Sequence, residues 1–283
     1  MKLIYRNKTT KGECRLTAEE EALDRTFYGK DRKDKFLTIA RNRGAATDVL
    51  IDGIQHTFPG NTILSLMVNQ SFHFAADSDA IVAWQFNREF YCIVDHDKEV
   101  SCAGFLFYGA QQTMFTQLGD RDTHKLDLLF EIFKEEYDTV DNIQEDMLRM
   151  LLKRLIILVT RLAKEQFLPA QVSTDTKLDV IRAFNMLVEN NYKTAHRVSF
   201  YAEQLNRSPK TLTNLFALYN NKSPLTIIQD RILLEAKRLL IYTDKSAKEI
   251  AYELGFEDAA YFSNTFKKAT SASPSDFRKQ HKN

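Results

Sequence analysis

The first half of the chain alternates short apolar runs with turn residues. An Asp-Gly pair at Asp52-Gly53 lies between apolar stretches, and this pair is a strong signal for a β-hairpin. The pattern predicts a small antiparallel barrel or sandwich after a charged, irregular amino-terminal segment. The runs are rich in β-branched and aromatic residues, and they cover Phe36–Arg41, Thr47–Ile51, Thr62–Leu66, Ala80–Phe86 and Glu89–Val94.

From Thr123 the apolar spacing becomes that of helices. It predicts two antiparallel helices, at about 123–138 and 141–167, joined by a short loop. The second helix has a wide apolar side, for which two interpretations stay open. It packs on its own barrel, or part of it forms a homodimer seam through Leu148, Leu151, Leu155, Leu158 and Leu162.

Residues 169–175 have no periodicity and include Pro169, so they are predicted to be an interdomain linker. A chain of 283 residues is long enough for two domains. We therefore expect an α+β, two-domain protein. Residues 1–168 form an antiparallel β-barrel followed by helices, and residues 176–283 form an all-α domain of seven helices.

Two segments of the second domain follow the pattern of a helix-turn-helix unit. In the first, Ser199–Leu205 is a short helix, and Ser208 caps a second helix that starts at Pro209. In the second, Ser246 and Glu249 have the spacing of a capping box, and Gly255 ends the short helix. Asp258 then caps a helix to about Ala269, with Tyr261, Phe262 and Phe266 expected in the core.

One continuous helix of about 19 residues, 223–242, is predicted between the two units. At 1.5 Å per residue its length is roughly 28 Å. Recognition helices that enter successive major grooves on one face of DNA lie about 34 Å apart. A rigid spacer of this length can therefore hold two recognition helices for one DNA duplex.

Charge is divided unequally between the two halves. The net charge is +1, but residues 1–170 carry 22 Lys and Arg against 26 Asp and Glu, and residues 171–283 carry 17 against 12. A basic half is a modest pointer to nucleic-acid binding. The three cysteines have no CxxC spacing, and no signal peptide or membrane span is expected. We therefore expect a cytoplasmic protein without disulfides.

The region from about 178 to 278 resembles the DNA-binding domain of AraC/XylS-type bacterial transcription regulators. The first half is similar, more weakly, to the cupin-like effector and dimerisation domain of that family. The matching residues in the DNA-binding region include Ala202–Leu205, Ser208–Leu212, Arg231–Ala236, Glu249–Ala251, Gly255–Asp258, Tyr261–Ser263, Phe266–Lys268 and Ser273–Arg278.

The sequence departs from the family at positions that bear on DNA binding. Asn214 and Asn264 occupy sites where the family usually has arginine, and Asn221 and Ser271 replace usual glycines. The resemblance therefore implies a conserved fold with altered base recognition.

Projection of the helices predicts the DNA contacts. Asparagine pairs with adenine and alanine packs against the thymine methyl group, so we expect A·T-biased readout, with Lys210 as the guanine contact. The expected base-contacting residues are Lys210, Thr213, Asn214, Ala259, Ala260, Ser263 and Asn264. The expected phosphate contacts are Ser208, Thr211, Lys222, Lys248, Lys267 and Lys268.

The first domain lacks catalytic signals. Its histidines form no HxH or HExxH set, and the chain has no nucleophile elbow or phosphate loop. We expect no bound metal, no cofactor and no enzymatic activity, although a cupin-like enzyme fused to a helical domain is the rival hypothesis. Either an effector pocket or plain core explains Arg41, His56, Trp84 and Phe86.

Together these features predict a ligand-responsive transcription activator that is a homodimer. Its expected partners are double-stranded DNA, RNA polymerase and a small-molecule effector of unknown identity. The alternative within the same class is a constitutive DNA-binding protein that responds to no effector.

Overall fold

The computed structural model describes ten stretches of the chain. They are residues 1–18, 23–25, 35–68, 70–75, 80–93, 95–96, 106–107, 113–167, 175–219 and 222–281. These stretches divide into two compact units, whose described parts lie within residues 1–167 and 175–281.

The amino-terminal unit contains two antiparallel sheets. A six-stranded sheet has the order β1-β2-β9-β4-β7-β10, and a four-stranded sheet has the order β3-β8-β5-β6. The strands are β1 Lys2–Arg6, β2 Glu13–Ala18, β3 Asp24–Arg25, β4 Phe36–Asn42, β5 Thr47–Ile51, β6 Ile54–Phe58, β7 Thr62–Leu66, β8 Phe72–Phe74, β9 Ile81–Asn87 and β10 Phe115–Gln117.

The two sheets enclose one apolar core. The six-stranded sheet contributes Ala40, Leu64 and Ala83, and the four-stranded sheet contributes Phe58 and Phe74, all fully buried. The predicted hairpin is confirmed, because β5 and β6 pair across Asp52 and Gly53. Both turn residues have positive φ, 50° and 78°, as a type I′ turn requires.

Two predictions about this sheet were wrong. The amino-terminal segment is not irregular, because β1 and β2 pair with each other and β2 pairs with β9. Residues 89–94 were predicted as a strand, but the described part, 89–93, follows a turn. The Asn87 side chain accepts a hydrogen bond from the Phe90 N–H, and its carbonyl accepts one from Tyr91, so the chain turns out of the sheet.

Two helices follow the strands, α1 Asp120–Asp138 and α2 Gln144–Phe167. α1 starts three residues earlier than predicted, where Asp120 and Asp122 favour the positive end of the helix dipole. α2 starts three residues later, because Asp141 accepts a hydrogen bond from the Ile143 N–H in the preceding turn.

The apolar side of α2 packs within its own unit. Leu148, Leu151, Leu155 and Leu162 are buried, and only Leu158 of the predicted dimer seam stays partly exposed. These leucines therefore cannot supply a homodimer seam. The helix packs on α1 and on β10 of the six-stranded sheet, as expected if its apolar side packs on its own barrel.

The carboxyl-terminal unit is helical throughout its described residues. Seven helices are present there, as predicted: α3 Asp175–Asn191, α4 Val198–Gln204, α5 Pro209–Tyr219, α6 Pro224–Tyr242, α7 Ala247–Glu253, α8 Ala259–Thr270 and α9 Pro274–His281. The linker predicted at 169–175 lies outside the described residues up to 174, and Asp175 is the first residue of α3.

One departure from the family pattern has a structural cost. Ser271 follows α8 with φ 62° and ψ 4°, the left-handed conformation that glycine adopts without strain. For a residue with a Cβ this conformation costs roughly 1–2 kcal/mol. The other replaced glycine position, Asn221, lies outside the described residues.

We predict that Ser271→Gly stabilises the protein. The relief of left-handed strain exceeds the extra unfolded-state entropy of glycine, about 0.5–1 kcal/mol, so the free energy of unfolding rises by about 0.5–1 kcal/mol. Urea unfolding followed by circular dichroism measures the change. Ser273→Ala is the control and lowers stability by about 1 kcal/mol, because the Ser273 hydroxyl accepts a hydrogen bond from the Asp276 N–H. A less stable Ser271→Gly variant contradicts the prediction.

Candidate DNA-binding interface

The first helix-turn-helix unit consists of α4 and α5 around a tight turn. Asn206 has φ 52°, a conformation that asparagine tolerates. The Arg207 N–H donates to the Ala202 carbonyl at 2.8 Å and closes the turn. The unit packs through the buried side chains of Leu212 and Phe216, and the Phe216 ring lies 4.9 Å from that of Phe184 in α3.

The second unit, α7 and α8, repeats this geometry. Gly255, with φ 78°, occupies the left-handed position. The Phe256 N–H donates to the Ala251 carbonyl at 3.0 Å, the equivalent of the bond from Arg207 to Ala202. The two turns therefore share one geometry, and each leads into the second helix of its unit, α5 in the first and α8 in the second.

The predicted helix starts are confirmed. The Ser208 hydroxyl accepts a hydrogen bond from the Thr211 N–H at 3.0 Å, and the Asp258 carboxylate accepts one from Ala260 at 2.7 Å. Ser246 and Glu249 form a reciprocal capping box. Hydrogen bonds from the Ser246 N–H and hydroxyl to the carboxylate hold the pKa of Glu249 below its usual value.

The connecting helix α6 has the predicted length of 19 residues. Arg231 anchors it to α3 by two hydrogen bonds to Glu189, at 2.6 and 2.9 Å, and stacks on the ring of Tyr192 at 3.9 Å. Burial lowers the pKa of Arg231, but the nearby Glu189 carboxylate outweighs this effect and raises the pKa above its usual value. The guanidinium therefore stays charged in the core.

The outward side of α5 carries three of the predicted base-contacting residues. Lys210, Thr213 and Asn214 are all exposed. The Thr213 hydroxyl donates to the Pro209 carbonyl at 2.9 Å within the helix. The Thr213 hydroxyl is thus engaged within its own helix, and Lys210 and Asn214 are the better placed of the three to contact a base.

The outward side of α8 is less uniform. Ala260 and Asn264 are exposed, whereas Ala259 and Ser263 are half-buried. The Ser263 hydroxyl donates to the Ala259 carbonyl at 2.9 Å. The structure thus brings Ala260 and Asn264 together on the exposed surface of the helix and places the other two at its margin.

Tyr261 is not a core residue, contrary to the sequence prediction. Its side chain is 65% exposed, while Phe262 and Phe266 are buried. Since one residue is 100° of helix rotation, a tyrosine directly before the buried i, i+4 pair points away from the core. Tyr261 shares its side of the helix with Asn264, three residues on, and that spacing could have identified it.

Most of the predicted phosphate contacts lie on the surface. Ser208, Thr211, Lys248, Lys267 and Lys268 are exposed. Lys222 is half-buried, and its ammonium group is paired with the Asp230 carboxylate at 2.6 Å. A contact from Lys222 to phosphate would therefore have to compete with this ion pair.

The four predicted pocket residues are not brought together. Arg41, Trp84 and Phe86 lie on the side of the six-stranded sheet that faces the helices, where the Trp84 ring packs against Phe130 and Phe133 of α1. His56 lies in β6 of the other sheet, with its ring centroid 6.2 Å from that of Phe115.

No three His, Cys, Asp or Glu side chains in the described stretches are grouped closely enough to hold a metal ion. No helix in them is both long and apolar enough to cross a membrane. Cys14 and Cys92 are free thiols, and Cys102 lies outside the described residues.

Comparison with known proteins gives a family match in the carboxyl-terminal unit and partial matches to curated proteins. Residues 201–280 match the family model of a helix-turn-helix domain. The raffinose operon transcriptional regulatory protein of Pediococcus pentosaceus is 33% identical over 110 residues, 38% of this chain and 40% of that protein. The arabinose operon regulatory protein of Escherichia coli K12 is 36% identical over 92 residues, 32% of this chain and 30% of that protein.

These alignments span less than half of either relative. A structural comparison matches ToxT from Vibrio cholerae O395 with a TM-score of 0.42 and 14% identity over 99% of this chain and 97% of that one, a likeness too low to add to the fold described above. The expected resemblance to the AraC-type domain is confirmed over the matched region. Both relatives are named as operon regulatory proteins, the first of them as a transcriptional one, which agrees with the expectation of a regulator rather than an enzyme.

Proposed function

We propose that this protein is a sequence-specific DNA-binding transcription regulator, because residues 201–280 match a helix-turn-helix domain and the chain is similar to operon regulatory proteins. The observation that carries the proposal is the repeated turn geometry of two helix-turn-helix units, joined by a helix of 19 residues. Its recognition helices α5 and α8 enter successive major grooves on one face of the duplex.

Base recognition by these helices is largely uncharged. Asn214 and Asn264 pair with adenine, Ala260 packs on a thymine methyl group, and Lys210 contacts guanine. Tyr261, exposed beside Asn264, adds an aromatic ring that packs on a thymine methyl group or a deoxyribose. Thr213 lies between Lys210 and Asn214 on the exposed side of α5, and Ala259 and Ser263 lie at the edge of the contact area on α8.

Phosphate contacts supply most of the affinity. Lys248, Lys267 and Lys268 pair with phosphates, and the backbone N–H groups at the helix starts, beside Ser208 and Thr211, donate to others. Each neutralised phosphate releases counterions, so affinity falls as salt rises. Lys222 joins them only where DNA displaces Asp230 from its ion pair.

Selection from a pool of random duplexes with the full chain identifies its preferred binding site. On that site we predict that Asn264→Ala relaxes selectivity at one base pair. The loss there is about 1–3 kcal/mol, because the bidentate contact with adenine is removed. Fluorescence anisotropy on duplexes changed at single positions measures it. Lys268→Ala is the matched control, and it weakens all sequences equally and lowers the salt slope by about one. Equal weakening of all sequences by Asn264→Ala contradicts base recognition.

The protein forms a homodimer through the outer surface of α1 and α2. The two helices pack together on one sheet and leave large apolar side chains in solvent: Leu128 is 53% exposed, Ile132 45%, Met147 37% and Met150 65%. Clustered exposed apolar side chains mark interaction surfaces. The proposed dimer interface therefore uses these exposed side chains and not the leucines predicted from the sequence, most of which are buried.

We predict that the double variant Leu128→Glu, Met150→Glu is monomeric, because carboxylates on both helices disfavour burial of the surface. Sedimentation equilibrium measures the mass. The matched control is Ile54→Glu, which changes a 50% exposed residue of β6 in the same unit and leaves the dimer intact. A double variant with wild-type mass places the interface elsewhere.

The effector binds between the six-stranded sheet and α1. Arg41 and Trp84 lie on adjacent strands and, since Arg41 pairs with Val82, they are diagonal neighbours on one side of the sheet. The Arg41 Nε–H and Trp84 Nε1–H are buried without acceptors among the described residues. Buried donors require acceptors, so a small molecule with a carboxylate or hydroxyl group satisfies both.

Trp84 is the lone tryptophan of the chain and reports on this site. We predict that a ligand from a panel of sugars and small carboxylic acids shifts Trp84 emission and raises the melting temperature together. Arg41→Met abolishes both responses, whereas Arg43→Met, which changes the second partner of Asp127, keeps them. A ligand that raises the melting temperature without moving Trp84 emission binds elsewhere.

Ligand binding shifts the population between two states of the cytoplasmic dimer that differ in DNA affinity, and the bound state recruits RNA polymerase as an activator does. A constitutive DNA-binding protein is the second candidate. Promoter output that no ligand changes, with DNA binding intact, favours that candidate over a ligand-responsive activator.

A further inference from the structure

We propose that a direct contact between the segment leading into the first helix-turn-helix unit and the turn of the second unit, and not the connecting helix alone, sets the relative placement of the recognition helices. The contact, here termed the inter-unit lock, consists of Lys193 and His196 against Glu253, Leu254 and the Gly255–Phe256 pair. The inference rests on the proposed DNA-binding function and names residues that control it without touching DNA.

His196 makes the central contact of the lock. Its Nε2 lies 2.8 Å from the carbonyl oxygen of Leu254, a hydrogen-bond distance. Its ring centroid lies 5.0 Å from that of Phe256. One side chain from the segment before α4 therefore contacts both the backbone and an aromatic ring of the turn between α7 and α8.

Gly255 allows the two segments to approach each other. A Cβ at this position would overlap the Lys193 carbonyl oxygen and lie 3.3 Å from His196 Nε2. Glycine is therefore needed here for two reasons, the left-handed φ of 78° and the close approach of the Lys193 backbone. The second reason has no part in ending α7 and belongs to the lock alone.

An ion pair closes the other side of the lock. The Lys193 ammonium group lies 2.9 Å from the Glu253 carboxylate, which also pairs with Lys245. Burial raises the pKa of Glu253, but hydrogen bonds from Lys245 and Lys193 outweigh it and lower the pKa, so the carboxylate stays charged.

The position of the lock explains its effect on the recognition helices. Residues 193–196 lead directly into α4, and the buried Tyr201 hydroxyl donates to the Ala195 carbonyl at 2.7 Å, so this segment moves with the core of the first unit. The turn at Gly255 sets the direction in which α8 leaves α7. The lock thus joins the entry of one unit to the corner of the other.

The connecting helix cannot supply this constraint by itself. A helix fixes the distance between its ends, but each unit can still tilt where it packs on the helix. A second contact, away from the helix, removes that tilt. Binding to two successive grooves gains affinity only when both units engage together, so a tilt lowers the preference for one half-site spacing.

The test uses the full chain with the selected duplex and with duplexes in which two base pairs are inserted or deleted between the two half-sites. The wild-type protein prefers the native spacing by about tenfold or more. The double variant Lys193→Met, His196→Ala reduces the preference to within about threefold, while binding to a duplex with a single half-site stays unchanged. The variant Lys193→Met, His196→Gln, which keeps a donor for the Leu254 carbonyl, recovers part of the preference that the first double variant loses.

Thr194→Ala is the matched control, because this residue of the same segment is exposed and its hydroxyl donates to the nearby Asn191 carbonyl at 3.3 Å. It keeps the wild-type spacing preference. An unchanged preference in the double variant overturns the proposal while leaving the proposed function intact. Failure of the wild-type chain to select any duplex overturns the proposed function instead.

A measurement without DNA tests the lock in either case. Nitroxide labels at Ala217→Cys and Ala269→Cys, in a full chain whose native cysteines are replaced by alanine, give the distance distribution between α5 and α8 by double electron–electron resonance. Loss of the lock broadens this distribution and shifts its mean. A distribution of unchanged width in the Lys193→Met, His196→Ala variant overturns the proposal.

Discussion

A recognition helix has to keep one side in the core while the opposite side stays in water. The carboxyl-terminal unit depends on this separation of a buried and an exposed side. In α5 and α8 the division is made by a pair of large residues at i, i+4, Leu212 with Phe216 and Phe262 with Phe266, all buried. The outward residues, including Asn214 and Asn264, are placed by geometry as a result. Hydrogen-bonded turns and caps then fix where each helix begins.

Local features of this unit could be predicted from sequence because each depends on residues a few positions apart. The caps at Ser208, Ser246 and Asp258, the turn at Gly255 and the length of α6 all follow from short-range chemistry. Tyr261 was misplaced because its aromatic character outweighed its position on the helix. The contact between Lys193 and Glu253, 60 residues apart, has no local signature.

The amino-terminal unit was harder to predict because strand pairing is not local. The strand pattern and the Asp52-Gly53 hairpin could be identified, but periodicity does not show that β2 joins β9 or that a charged segment contains an edge strand. It also does not show which side of a strand meets the other sheet and which meets a helix. For that reason Trp84 and His56, grouped by chemistry, lie on different layers.

The pairing of β2 with β9 has a consequence for how the protein is made. Cys14 pairs with Phe86, so β2 waits for some 70 further residues before its second neighbour exists. At about 5–20 residues per second, a ribosome needs roughly 4–14 s to make them. During that time β1 and β2 can form only a two-stranded hairpin, which is marginally stable in water. In the carboxyl-terminal unit the helices themselves form from local contacts, and only their packing waits for later residues. The newly made chain therefore exposes the unpaired side of β2 for seconds, the interval in which chaperones or misassociation act on it.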